Sequence, residues 1–212
     1  MHPRDCPGFL YEQHPQRATL LSAATTQVVT DLGNRALDTE RLSADSRPIH
    51  RQLFSNLTPD ECPYYAGHYR GEAFPCLRYH HVAVDGRPIG FLPHKVPPAM
   101  SFGAVNIRDG IRAVDATHQD AAVLPRDKAL AAVRLACHTF VFVLRVHPYV
   151  NGNGHTARFI VWAILSRYGY WLTAWPIEPR PPDPPYMDLV RAYRNGDHAP
   201  LETFILRAIL GE

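Results

Sequence analysis

The sequence has little excess charge of either sign. Its 22 Lys and Arg residues stand against 20 Asp and Glu residues, so 212 residues carry a net charge of +2. So small a charge creates no strong field toward nucleic acid or acidic lipid. Residues 1–16 lack the apolar run of a secretion signal, and no stretch reads as long and uncharged enough to span a membrane. We therefore expect a cytoplasmic protein that binds neither nucleic acid nor membrane.

Cysteine is scarce, and its spacing predicts no cysteine-based site. The sequence has 4 cysteines, at positions 6, 62, 76 and 137, and none forms a C-x-x-C pair. Neither a disulfide framework nor a zinc site is therefore indicated. We expect these cysteines to be reduced thiols with a structural role.

The length and the hydrophobic content of 46% predict one domain with a substantial core. Apolar residues at helical spacing predict helices over residues 19–32, around Ile49 to Phe54, and over 130–144, 159–165, 186–194 and 201–210. Residues 62–105 are rich in glycine and contain Pro93, Pro97 and Pro98, a composition that predicts no long helix there. Within them, residues 79–84 and 89–92 flank Asp85-Gly86 and predict a β-hairpin.

The segment between two of these helices can hold an anion. Gly152-Asn153-Gly154 precedes a helix, whose free N–H groups and dipole favour phosphate oxygens, and the glycines let the backbone come close. Arg158, four residues after Gly154, can reach a terminal phosphate with two N–H groups. His147, just before the turn, can take a proton from an attacking hydroxyl. A simple turn with His147 as a helix cap is the alternative, and the combination of these residues favours the functional interpretation.

The stretch HPYVNGNGHTAR, residues 147–158, strongly resembles the signature of the Fic family, H-P-F-x-[D/E]-G-N-G-R-x-x-R. Tyr149 stands for the phenylalanine of that signature. Upstream, residues 65–70 resemble the G-x-[YF]-R segment of the family, and the hairpin near residues 82–92 resembles its substrate-aligning flap. Residues 186–201 are similar to its closing helices, so the resemblance extends over about residues 50–210.

The resemblance implies a mainly α fold, a Fic-type helical bundle with a small β-hairpin flap. Residues 1–48 would form an N-terminal helical extension packed on a catalytic core of residues 49–212. Most members transfer AMP from ATP to a Ser, Thr or Tyr hydroxyl of a target protein. The resemblance therefore implies ATP or another nucleotide as co-substrate and a target protein as partner. The implied roles are general base for His147, nucleotide and phosphate binding for Gly152, Asn153, Gly154, His155 and Arg158, and core anchor for Tyr149.

Two residues depart from the family signature. Asn151 replaces the acid that holds magnesium in the family, and its neutral carbonyl oxygen is a poorer ligand for a hard dication. His155 replaces the first arginine and cannot make a two-pronged phosphate contact. Mg²⁺ is consequently expected to bind at Asn151 weakly, if it binds there at all.

These departures leave other functions open. One is a catalytically silent nucleotide-binding module. Another is a protein kinase like the related Doc toxins, which is less favoured because Doc proteins carry lysine where this chain has Gly154. The sequence holds no convincing copy of the inhibitory helix of the family, so control by a separate inhibitory partner also stays open.

Overall fold

The computed structural model describes residues 6–84 and 86–211, and these residues form a mainly α bundle, as the sequence predicted. Within this part of the chain there are eight α-helices and one two-stranded sheet. The helices are α1 (Arg17–Gly33), α2 (Thr39–Ala44), α3 (Arg47–Phe54), α4 (Val96–Gln119), α5 (Pro125–Val146), α6 (Asn153–Arg167), α7 (Tyr186–Arg194) and α8 (Ala199–Leu210).

The centre of the bundle is α6, which packs against α5, α1 and α2. Its residues from Phe159 to Leu165 are apolar nearly all round, and all but the half-buried Trp162 are buried, as predicted for a central helix. Beside it, α5 begins with Pro125, whose missing N–H costs nothing in a first helical turn. The predicted helices over residues 19–32, around Ile49 to Phe54, 186–194 and 201–210 are also confirmed.

The prediction of no long helix before Val105 is wrong, because α4 begins at Val96 and runs to Gln119. Pro97 and Pro98 lie in its first turn, where a helix needs neither of their N–H groups. These prolines start the helix and do not exclude it. The sequence interpretation also missed the short α2, whose N-terminus is capped by the Asp38 side chain accepting from Arg41 N–H at 3.0 Å.

The predicted hairpin is present, but its first strand is shorter than expected and its second strand begins two residues earlier, at Arg87. Strands β1 (Val82–Val84) and β2 (Arg87–Ile89) pair antiparallel with Val82 opposite Ile89. Asp85, in the predicted turn, lies outside the described residues. After β2, the N–H of Phe91 donates to the carbonyl of Val146 at 3.0 Å, so the base of the hairpin is fixed to the end of α5.

The expectation of four reduced thiols is wrong for two cysteines. Cys6 and Cys76 form a disulfide across 70 residues of sequence, whereas Cys62 and Cys137 are buried free thiols. Spacing along the chain could not reveal this pair, because only the folded path of the N-terminal residues brings Cys6 to Cys76.

One helix in the described part of the chain, α5, is long and apolar enough to cross a membrane by length and composition alone, contrary to the sequence expectation. Half of its most apolar window is buried inside the protein. Phe140 and Val143 of this helix are fully buried in the bundle. The core helix of a folded bundle passes the same test, so the finding is weak evidence for a membrane.

Candidate active site

The motif segment, residues 147–158, joins α5 to α6 through two left-handed residues. His147 ends α5 with φ 55°, and Gly152 precedes α6 with φ 75°. A Cβ at Gly152 would lie 2.4 Å from the ring of Phe54, so both the backbone angle and the space require glycine there. Gly154 differs, because it lies within α6 and a Cβ there would approach only Arg158 Nη1, at 3.1 Å.

The side chain of Asn153 closes the turn and does not point to a ligand. Its Oδ1 accepts from Tyr149 N–H at 2.8 Å, and its Nδ2 donates to the Tyr149 carbonyl at 3.0 Å. Tyr149 itself is fully buried, with its hydroxyl 2.8 Å from Ser46 Oγ and its ring stacked on His50. Only the backbone of Asn153 is left for an anion, since the first N–H groups of a helix have no partner within it.

A cavity of about 920 Å³ brings the polar residues of the motif segment together. Its walls include His147, Asn151, Gly152, Asn153, Gly154, His155 and Arg158. The hairpin contributes Ile89 and Gly90. A smaller cavity of about 480 Å³ beside α8 contains none of these residues.

The imidazole of His147 lies in this cavity beside the hairpin. Burial, with a smaller contribution from the charges of Arg70 and Arg194, lowers the pKa of His147 to about 4. The ring is therefore neutral at pH 7, the state in which it can accept a proton. A Cβ at Gly90 would lie 2.5 Å from the His147 Cβ, so the hairpin packs directly on this residue.

Arg70 links the hairpin to the end of α5. Its side chain is fully buried, and its guanidinium donates to the carbonyls of His147, Val146, His80 and Phe91 at 2.6–3.3 Å. Burial lowers the pKa of Arg70 to about 10, which keeps the group charged at neutral pH. The arginine therefore has a structural role that the resemblance of residues 65–70 did not specify.

Asn151 holds the N-terminal part of the chain to the site. Its Nδ2 donates to the Phe9 carbonyl at 2.9 Å and to both carboxylate oxygens of Glu12 at 3.1 Å. Its Oδ1 accepts from Gly152 N–H at 2.8 Å. The amide thus places an NH₂ group among the oxygens and turns its own oxygen to the backbone.

This arrangement does not fit the magnesium ion that the resemblance implies. Protein sites for Mg²⁺ usually supply one or two carboxylates, whereas Asn151 offers a neutral oxygen that accepts from Gly152 N–H and turns its NH₂ group to the Glu12 carboxylate. Across residues 6–84 and 86–211, no group of three or more His, Cys, Asp or Glu residues could hold a metal ion.

His155 is buried and bound to an acid from beyond α6. Its Nε2 lies 2.5 Å from Glu178 Oε2, and the other oxygen of Glu178 lies 2.5 Å from Arg17 Nη2. Burial lowers the pKa of His155, against the opposing effect of Glu178. A neutral His155 with its proton on Nε2 therefore donates to the Glu178 carboxylate, whose own pKa is lowered by that hydrogen bond and by Arg17.

Part of the Arg158 guanidinium is hydrogen-bonded to the backbone. Its Nε and Nη2 both donate to the Ile177 carbonyl, at 3.0 Å and 2.6 Å, and the side chain is 3% exposed. Nη1 lies on the side of Gly154, at the N-terminus of α6. The residue lines the cavity, and it also ties α6 to the segment after it.

The sequence interpretation missed Glu12, Arg17, Arg70 and Glu178 as residues of the site. Glu12 is 139 residues from Asn151, and Arg17 is 161 residues from Glu178. No local pattern marks such pairs, because only the fold brings them together. Arg70 alone lay in a segment that the resemblance had singled out.

Comparison with known proteins places this arrangement in a family. The family model described as the Fic/DOC family matches residues 42–165, more than half of the chain. A solved structure of a Fic domain containing signaling protein from Bacteroides thetaiotaomicron VPI-5482 has a similar fold, with a TM-score of 0.59 and 19% identity. The match covers 88% of this chain and 66% of that one, and no curated protein matches. This chain belongs to the Fic/DOC family.

Proposed function

We propose that this protein transfers a nucleoside monophosphate, AMP from ATP in the first instance, to a Ser, Thr or Tyr hydroxyl of a target protein. One observation carries the proposal: the neutral His147 imidazole shares a cavity with the N-terminus of α6 and with Arg158. A proton acceptor and an anion-binding site are the two parts that such a transfer needs. Membership of the family supports a transferase of this general type.

The proposed step exchanges a phosphoanhydride bond of the nucleotide for a phosphodiester bond to the target. The target hydroxyl oxygen attacks the α-phosphorus of the nucleotide, and the bond from that phosphorus to the bridging oxygen breaks. Pyrophosphate leaves with the electron pair, and His147 takes the proton of the attacking hydroxyl. The negative charge of the bound nucleotide raises the pKa of His147 from its low value, so the base becomes stronger when the cavity is filled.

The start of α6 stabilises the charge that develops on the phosphate oxygens. The free N–H groups of residues 153–155 and the positive end of the helix dipole face the cavity. Arg158 Nη1 lies beside Gly154 and adds a positive charge at the same end. These groups are fixed before the reaction, so they stabilise charge without reorganising.

The hairpin positions the target hydroxyl in this proposal. Gly90 contacts His147 and the N–H of Phe91 is bonded to Val146, so a target segment lying along the hairpin would hold its hydroxyl near the imidazole. Holding two reactants in place accounts for a large part of the rate of such reactions.

Transfer of labelled nucleotide tests the proposal. The protein is incubated in a cell lysate with ATP labelled at the α- or the γ-phosphate, beside His147→Ala, and α-labelled GTP, CTP and UTP are run in parallel. We expect the α-label, and not the γ-label, to appear on a protein band with wild type only. Transfer of the γ-label would establish a kinase of the Doc type.

A silent nucleotide-binding module is the second candidate, and a specific observation favours it. Asn151 and His155, the two departures from the family signature, are both engaged with carboxylates of this chain. Binding of ATP by calorimetry, together with no label transferred in any lysate fraction, would establish this candidate.

A further inference from the structure

Two of the charged residues that line the cavity from outside the motif segment, Arg17 and Glu178, contact each other. Arg17 starts α1, and Glu178 follows α6 by several residues. Both line the cavity together with Gly154 and His155. The Glu178 carboxylate bridges Arg17 and His155, at 2.5 Å from each. An internal anion therefore already lies beside the N-terminus of α6.

The motif segment offers few positive charges of its own at this point. His155 uses its Nε2 on Glu178, and Arg158 uses two of its N–H groups on the Ile177 carbonyl. A bound polyphosphate carries several negative charges, which cost much free energy in a partly buried cavity unless cations face them. Further cations must come from outside the motif segment. Arg17, Arg145, Arg180 and Arg194 line the cavity, and Arg17 is the one that contacts the carboxylate bound to His155.

Arg17 meets this need. Its side chain is 31% exposed and lines the cavity, so a bound ligand can reach it. Its Nε is buried and has no hydrogen-bond partner among the described residues. A buried donor without a partner is costly, so the guanidinium is not satisfied by Glu178 alone.

We propose that Arg17 binds the terminal phosphates of the nucleotide, and that Glu178 is the internal anion that holds Arg17 until a phosphate displaces it. The ligand class is a nucleoside polyphosphate or a free polyphosphate. This inference rests on the proposed function and adds to it a binding residue from α1, outside residues 42–165 that match the family model. Arginine suits the role because its fork of N–H groups matches phosphate oxygens.

Calorimetric titration with ATP, AMP and inorganic tripolyphosphate tests the inference. Arg17→Gln should weaken ATP and tripolyphosphate binding about ten- to a hundred-fold and AMP binding much less. Arg17→Lys should keep part of the affinity. The matched control is Arg41→Gln, which removes the same charge from an exposed position on α2 outside the cavity. Melting temperatures of all variants show whether the fold is kept.

Glu178→Gln provides a test of opposite sign. Removing the competing charge should tighten tripolyphosphate binding, and this gain should vanish in the double variant Arg17→Gln/Glu178→Gln. A loss of affinity in Glu178→Gln, or an Arg17→Gln variant that binds like Arg41→Gln, would overturn the inference and make the pair structural. Failure of the wild type to bind any of the three ligands would overturn it as well.

The two proposals fail in different ways. If wild type binds tripolyphosphate through Arg17 but transfers no label, the proposed transfer is wrong and the inference stands. If label is transferred and Arg17→Gln changes no affinity, the inference alone is wrong.

Discussion

The motif segment and the N-terminal segment, Phe9–Arg17, approach the same cavity with opposite properties. The motif segment was visible in the sequence, yet many of its polar side chains are engaged inside the protein: Asn153 with Tyr149, His155 with Glu178, and Arg158 with Ile177. The N-terminal segment carries no recognisable pattern, yet it brings a carboxylate and a guanidinium to the cavity. A signature therefore locates a site without giving its full set of charges.

The contrast has a physical origin. A tight turn between two buried helices must satisfy its backbone groups, and the nearest polar side chains do so. Side chains from a segment distant in sequence do not have to satisfy the backbone groups of the turn, so they can face the cavity. Their contribution depends on how firmly that segment is held, here by the disulfide of Cys6 with Cys76 and by the Asn151 amide.

The largest expected effect on the transfer rate comes from a substitution in the motif segment. His147→Ala should lower the transfer rate about 100- to 10,000-fold, because it removes the imidazole that we propose takes the proton of the attacking hydroxyl. His147→Asn is the companion variant, since asparagine tolerates the left-handed backbone found here. Single-turnover assays and melting curves measure both. Transfer at the wild-type rate by either variant, with unchanged stability, would contradict the role of base.

Gly90→Ala, a substitution in the hairpin, should displace His147 and lower the transfer rate. The new Cβ would lie 2.5 Å from His147 Cβ and 2.8 Å from the Val146 carbonyl, so the imidazole must move. A displacement of about 1 Å can cost on the order of 100-fold in rate.

Gly86→Ala is the matched control for Gly90→Ala. Its φ of 73° is nearly the 72° of Gly90, but a Cβ there meets nothing within 4 Å. Both variants carry the same backbone strain, and only Gly90→Ala presses on His147. Equal transfer rates in the two variants would show that the contact with His147 does not matter.

Asn151→Asp tests how the N-terminal segment is held. The new carboxylate would face the Glu12 carboxylate and the Phe9 carbonyl, and the hydrogen bonds from Nδ2 would be lost. We expect a loss of about 1–3 kcal/mol in the free energy of unfolding. The variant also gathers three oxygen-bearing groups, so Mg²⁺ should restore part of the melting temperature.

The double variant Asn151→Asp/Glu12→Gln removes the repulsion and the second carboxylate together. It should regain stability without Mg²⁺ and respond to the ion less. A single variant as stable as wild type, with or without Mg²⁺, would show that the amide does not hold the segment.

The smallest expected effect is on pH dependence. An imidazole acts as base when neutral, so activity is lost as pH falls through its pKa. With the pKa of His147 at about 4 in the free protein, kcat/KM should change less than about twofold between pH 7 and pH 5. An ordinary histidine would give a fall on the order of 30-fold over that range.

The lowered pKa of His147 also makes the stability of the protein depend on pH, so folding must be checked at each pH of this assay. Because burial lowers the pKa of His147 and of His50, the unfolded chain binds protons first, and stability falls as pH drops from about 6.5 toward 4. Circular dichroism at each pH separates unfolding from titration. A fall in kcat/KM near pH 6.5 in a folded sample would contradict the low pKa.

The sequence predicted the features that depend on residues close together along the chain. Helical periodicity is a local signal, so α7 and α8 were predicted close to their bounds, and the central parts of α5 and α6 were predicted without their ends. For α4 the signal was misinterpreted, because prolines at positions 97 and 98 were taken as breakers although they suit a first turn.

The charged residues of the site come from both near and distant parts of the sequence. His147 and Arg158 were predicted because they lie eleven residues apart on one turn and one helix. Arg17 and Glu178 depend on how α1 packs against the segment after α6, and their contact crosses 161 residues. No single sequence shows a pairing of that range, nor does it show the disulfide.

The buried Arg70 has a mechanical consequence. Because one guanidinium holds the His147 carbonyl, the end of α5 and the base of the hairpin, these parts cannot move independently. A displacement of the hairpin would strain the hydrogen bonds that this guanidinium makes to Val146 and His147. We therefore expect a partner bound on the hairpin to affect the orientation of the His147 imidazole through Arg70.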